Sequence, residues 1–164
     1  MRTFCAGLAL TASFLLAGTL LAAPGRTIYK HPKLAFQFEA SEGWHHIAHP
    51  EDRLIYQMAE PGGALNVMLW YTETEQDAPR YLKKMADMKG YQMLAEPAKE
   101  EIHMQSAWVL PAVWVSDKGD RRVILAGIRS AKGLYIVQIW CPLERWEEEK
   151  ETMEGILTSV EVSP

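Results

Sequence analysis

Three successive segments that are apolar on both faces constrain this chain more than any other feature. Ala107 to Val115, Arg122 to Ile128 and Leu134 to Cys141 all read as strands. In the first, Trp108, Leu110 and Trp114 point one way while Val109, Val113 and Val115 point the other. In the third, Leu134, Ile136 and Trp140 oppose Tyr135, Val137 and Ile139. A half-solvated sheet would alternate apolar with polar residues, so both faces of this one must be covered. The connections Asp117-Lys118-Gly119-Asp120 and Ala131-Lys132-Gly133 are hairpin-length, which makes the strands antiparallel. Pro111 cannot donate to a ladder, so its strand is expected at an edge or with a bulge.

Two amphipathic helices are available as cover. Asp77 is a suitable N-cap, Pro79 sits just inside, and Tyr81, Leu82, Met85 and Met88 recur at helical spacing up to Gly90. After Pro142, a second helix is expected from Leu143 to Leu157, with Trp146, Met153, Ile156 and Leu157 on its apolar face. Glu144, Glu147, Glu148 and Glu149 lie in its first two turns, where the helix dipole favours them. Upstream, Leu34 to Phe38, Trp44 to Ile47, Leu54 to Met58 and Ala64 to Tyr71 read as an antiparallel meander. Tyr91 to Ala95 and Glu101 to Gln105 are weaker strands. The expected fold class is α+β, an antiparallel sheet covered by helices on both faces, an α/β/α sandwich.

The N-terminus has the order of a cleavable leader. Arg2 is positive, Phe4 to Leu21 carries no charge, and Ala22-Ala23 are small. Residues 1–23 are therefore read as a signal peptide and 24–164 as a single domain. The apolar stretch is long enough to span a thin bilayer, but Gly7, Gly18 and its Thr and Ser residues make it weakly hydrophobic, which favours cleavage over an anchor. Thr19 stands where a lipobox would need its Cys, so lipid anchoring is not expected. A periplasmic or otherwise exported product with no stable membrane anchor follows. Cleavage removes Cys5 and leaves Cys141 alone, so no internal disulfide forms. Cys141 is expected as a buried small hydrophobe rather than a reactive thiol.

Loss of Arg2 with the leader takes the formal net charge from −4 to −5. Charges of both signs are interspersed and no basic stripe is present, which argues against nucleic acid as a partner. The candidate metal ligands are His45, His46, His49 and His103, for zinc or copper. On a strand, His45 and His46 point to opposite faces, and His45 and His49 lie about 13 Å apart at roughly 3.3 Å per residue. Ligands must lie about 2 Å from zinc, so solvated histidines are the simpler expectation and no cofactor is assigned. Met58, Met68, Met93 and Met104 would suit copper(I) but lack close spacing, so core filling is expected. Trp70, Trp108, Trp114 and Trp140 are expected to fill the layers between sheet and helices, with an apolar ligand groove as the alternative. No nucleophile elbow, His-Glu-x-x-His or phosphate-cradling glycine loop is present, and no catalytic residue is assigned.

Tyr29, then Leu34-Ala35-Phe36-Gln37-Phe38, then Gly43-Trp44 is similar to the "Y…GFSF..P.GW" opening of the PsbP/Mog1 family. The closing step Ile156-Leu157-Thr158-Ser159-Val160 also resembles that family, whereas Ala40-Ser41 departs from it by lacking a Pro. The resemblance covers nearly the whole chain after the leader through short, degenerate motifs. It implies an α/β/α sandwich and a mostly non-enzymatic role, as in photosystem accessory subunits, assembly factors, a nuclear-transport cofactor and bacterial exported proteins. The expected function is thus a non-catalytic exported accessory or protein-interaction domain of the cell envelope. The alternative is a periplasmic metal- or small-molecule-binding protein that uses the His45–His49 turn or a Trp-lined groove.

Overall fold

The computed structural model describes residues 25–48 and 54–163. The leader, its cut position near Pro24 and the His49-Pro50-Glu51-Asp52 turn lie outside the described residues. In chain order the elements are β1 (Arg26–Lys30), β2 (Phe36–Ser41), β3 (His45–His46), β4 (Leu54–Ala59), β5 (Asn66–Thr72), α1 (Ala78–Lys89) and β6 (Tyr91–Met93). There follow β7 (Ala98–Ile102), β8 (Gln105–Trp114), β9 (Arg121–Arg129), β10 (Leu134–Pro142), a 3-10 turn at Leu143–Arg145, α2 (Trp146–Thr158) and β11 (Glu161–Val162).

The central ladder is antiparallel, as the short connections require. Eight strands run in the order β3-β4-β5-β10-β9-β8-β6, with β7 also paired to β8. Register sets Trp114 opposite Arg121, Leu110 opposite Leu125 and Ile136 opposite Gly127. Pro111 lies on neither an outer edge nor a bulge. Its outer neighbour changes there from β6 to β7, and its carbonyl accepts the Leu94 N–H at 2.9 Å. The missing donor of proline thus falls where the pairing on that side is interrupted.

Residues of opposite parity on these strands enter two different clusters. Leu110, Val123, Leu125, Leu134 and Ile136 pack with Ala78, Leu82 and Ala86 of α1. Val109, Ala126, Val137 and Ile139 pack with Met153, Ile156 and Leu157 of α2 and with Phe36 and Phe38 of β2. Gly127 lets α1 approach, because a Cβ there would stand 3.1 Å from the Cβ of Ala78. Gly90 closes α1 in the left-handed region at φ 69, and its N–H reaches the carbonyls of Ala86 and Asp87. Asp77 holds the N-cap position, but its side chain makes no capping bond.

The upstream meander is divided between two sheets. β2 pairs with β1 and β11 in a separate three-stranded sheet, while β3, β4 and β5 join the large one. Phe36 and Phe38 bury beside Val160 and Val162 from the chain end, and Ser159 Oγ accepts the Glu39 N–H at 2.9 Å. Return of the C-terminus thus draws β2 away from β3. Tyr29 ties the parts together: its hydroxyl donates to the Ser41 carbonyl at 2.9 Å and accepts the Trp44 N–H at 3.1 Å. Its ring stacks on Phe38 at 5.5 Å.

Leu82 is fully buried between α1 and the sheet. Leu82→Ala is expected to lower the unfolding free energy by about 2–5 kcal/mol, read from urea denaturation.

Candidate functional site

Charge is segregated between the two helices. Four basic residues on α1 (Arg80, Lys83, Lys84 and Lys89) face one acid, Asp87. In contrast, α2 carries Glu147, Glu148, Glu149, Glu151 and Glu154 against Lys150 alone. Part of the α2 charge is answered locally, since Arg145 pairs with Glu148 at 3.6 Å and with Glu149, and Lys150 with Glu147 at 2.7 Å. On α1, Lys83 pairs with Glu96. α1 is thus the basic helix of an acidic chain.

An open groove of about 550 Å³ lies between α1 and the end of β5. Trp70, Tyr81, Met85 and Met88 supply its apolar lining, and Lys84 and Lys89 its cations. Lys89 Nζ stands 5.9 Å from the centre of the Trp70 ring. The β5–α1 loop that closes one end is pinned by Arg129, whose guanidinium donates to the carbonyls of Thr74 and Gln76.

Where β8, β9 and β10 end together, Arg121 is clamped between two indoles. Its Cζ lies 4.5 Å from the ring centres of both Trp114 and Trp140. Both tryptophans pack against the α1-side cluster and keep part of their surface exposed. Beside them, the Tyr91 hydroxyl donates to Gln138 Oε1 at 3.3 Å. Burial pushes the Tyr91 hydroxyl above its ordinary range. The next residue, Arg122, has the opposite parity and lies 4.6 Å over the Trp146 ring at the start of α2. Burial lowers the Arg122 pKa, and its Nε is buried without a hydrogen-bond partner.

Cys141 is fully buried, and its burial, reinforced by the charge of Glu149, pushes the thiol up to about 11. That is the environment of an inert thiol. The four tryptophans named for the layers are half-buried, so each fills the α1-side cluster with one part and meets solvent with another. Met58 is buried, while Met93 and Met104 are exposed on separate segments.

The candidate histidines are spread out. His45 pairs with Ala59 and His46 with Met58, on opposite faces of the sheet edge. His46 instead approaches Tyr56, 5.2 Å between ring centres, and His31 meets the same ring at 5.1 Å. His103 lies in the β7–β8 turn with its Nε2 3.5 Å from Glu161 Oε2. His49 lies outside the described residues. Among the described residues, no three His, Cys, Asp or Glu side chains form a group that could hold a metal ion.

The tryptophan–arginine clamp was not anticipated from sequence, although its signal was present. Trp114 and Arg121 are symmetrically placed about the hairpin loop, so they become direct partners, and Trp140 opposes Val123, diagonal to Arg121. Strand β1 was also missed, because Arg26–Lys30 is short and largely exposed.

The three-dimensional arrangement resembles solved structures. Cyanobacterial PsbP (CyanoP) from Synechocystis sp. PCC 6803 superposes with a TM-score of 0.68 at 12% identity, over 91% of this chain and 99% of that one. The fold is PsbP/Mog1-like. The Saccharomyces cerevisiae Ran-binding protein Mog1p shares it with a TM-score of 0.57 at 10% identity, over 85% of this chain and 96% of that one. LpqN, involved in cell envelope biogenesis of Mycobacterium tuberculosis, gives 0.56 at 13% identity, over 85% and 91% of the respective chains. No family model matches this chain, and no curated protein sequence matches it. These identities establish the PsbP/Mog1-like fold alone. No helix among the described residues is long and apolar enough to cross a membrane.

The buried thiol has a pH signature. Burial raises the native thiol from its ordinary value of 9.0 to about 11, so between these values the unfolded chain loses the proton that the native chain keeps. The thiol's contribution to stability is intact below the lower value and falls as pH rises toward the upper one, by at most about 2–3 kcal/mol. Cys141→Ala is expected to flatten this loss, seen as a smaller difference between urea midpoints at the two ends of that window.

Proposed function

We propose that this chain is a non-catalytic exported accessory domain of the cell envelope that docks a protein partner on its α1 face. In this reading the large sheet is the middle layer of an α/β/α sandwich. The two helices then present opposite charge on the two sides. The carrying observation is the coincidence, on the α1 side, of four basic residues, half-exposed tryptophans and an open groove in a chain of net charge −4. Interfaces favour Trp, Tyr, Met and Arg at their centres, and this face offers all four. Mog1p is a Ran-binding protein and LpqN is involved in cell envelope biogenesis, which supports both parts of the reading. Export rests on the leader pattern of residues 1–23.

The test is affinity capture from the native envelope with the protein at its natural abundance. One partner is expected at near-stoichiometric recovery, lost as ionic strength approaches about 1 M, where the screening length falls to roughly 3 Å. Charge reversal at Lys84→Glu plus Lys89→Glu is expected to cut recovery about tenfold, while reversal of Glu151 and Glu154 on α2 leaves it unchanged. Repeated failure to recover a partner, or equal recovery by both variants, contradicts the reading.

The groove favours a second reading, a small amphipathic anion with its tail on Trp70 and its head at Lys84 and Lys89. Laurate is the probe for this reading. A melting-temperature rise that Trp70→Ala removes supports it, and no rise at millimolar laurate excludes it.

A further inference from the structure

We propose that Arg121 is a preformed carboxylate receptor, held open by Trp114 and Trp140 for an acidic side chain or chain terminus of a protein partner. The inference deepens the docking reading and rests on it. The centres of both indoles lie 4.5 Å from the Arg121 Cζ, so the guanidinium is held by two cation–π contacts. Cation–π contact uses none of the group's five N–H donors, which lie along its edges. Among the described residues those edges have no hydrogen-bond or ion-pair partner. Asp120 is adjacent in sequence, yet it is the backbone carbonyl of Asp120 that is engaged, by the Leu143 N–H at 2.9 Å. Two other arginines spend their donors internally, Arg129 on two loop carbonyls and Arg145 on three glutamates, while the unpartnered Nε of Arg122 is buried and out of reach of a ligand.

An arginine confined in this way has given up its rotamer freedom before any ligand arrives. Binding then costs less entropy, and the planar fork accepts a carboxylate through two parallel hydrogen bonds. The parity of Arg121 with Val123 and Leu125 places it on the α1 side, where four basic residues of α1 add attraction for an acidic segment. The occupant that fits is a carboxylate on a peptide chain, long enough for its flanking acids to reach those cations.

The experiment follows the arginine Nε–H and indole N–H resonances of the ¹⁵N-labelled protein while a blocked tetraglutamate peptide is added. The expected result is a saturable shift of Arg121 and of both clamp indoles, absent with tetralysine. Arg121→Lys keeps the positive charge between the indoles but removes the planar fork, and is expected to weaken binding at least about fivefold. Arg121→Gln is expected to weaken it at least about tenfold. Should the Gln variant lose its native spectrum, the Lys variant alone decides. No shift in the wild-type protein overturns the proposal, as does undiminished affinity in the folded Lys variant. Tighter saturation by inorganic phosphate than by tetraglutamate, at matched ionic strength, overturns the carboxylate assignment. Failure of this titration with partner capture intact removes the clamp and leaves the docking face. Failure of capture with the titration intact does the reverse.

Discussion

Everything in this fold depends on the need to hide both faces of the β8–β9–β10 ladder. Each strand places large apolar side chains on alternate sides, so neither surface can be left to water. One buried cluster joins these strands to α1 through Ala78, Leu82 and Ala86. Another joins them to α2 and to a three-stranded sheet that contributes Phe36, Phe38 and Val162. At roughly 25 cal/mol per Å² of apolar surface removed from water, this cover is the dominant favourable contribution to folding. It lets the described domain stand with Cys141 as a free thiol and no disulfide among the described residues.

Unequal cover has a structural result. The helix on the α1 side packs over β6, β8 and β9, and its flanks leave Trp70, Trp114 and Trp140 half-buried. Those rings meet solvent next to cations from α1 and from β9. The groove and the clamp are two expressions of one circumstance: aromatic filling that is larger than the helix laid over it.

Local pattern made the long elements legible. The 3.6-residue spacing of α1, its terminal Gly90 and the double-faced alternation of β8 and β10 are properties of contiguous residues. The same holds for the buried state of Cys141, which follows from its place at the end of a fully covered strand. What was not legible depends on residues far apart in sequence. The partnership of β2 with β11 is decided by Phe36 meeting Val162 across the whole domain. Pro111 was misplaced because the interruption opposite it arises from two other strands, β6 and β7. Likewise, no window of sequence contains Trp114, Arg121 and Trp140 together, and only the ladder register unites them. The PsbP/Mog1 resemblance reached the correct fold through short motifs, because Tyr29, Phe36, Phe38 and Trp44 form one aromatic contact set that ties β1, β2 and the approach to β3.

In the proposed sandwich, the opposite charges of α1 and α2 also make the domain an electric dipole across the sheet. Such a body is turned as well as attracted by an external field. Near a charged surface the torque biases rotational diffusion, so the fraction of encounters that present the right side rises before any atom touches. At low ionic strength this orienting effect extends for tens of ångströms, and at high ionic strength it shrinks to contact range. In the proposed docking on α1 the Glu residues of α2 still matter: neutralising them would leave the basic helix intact and weaken the molecule's preferred approach.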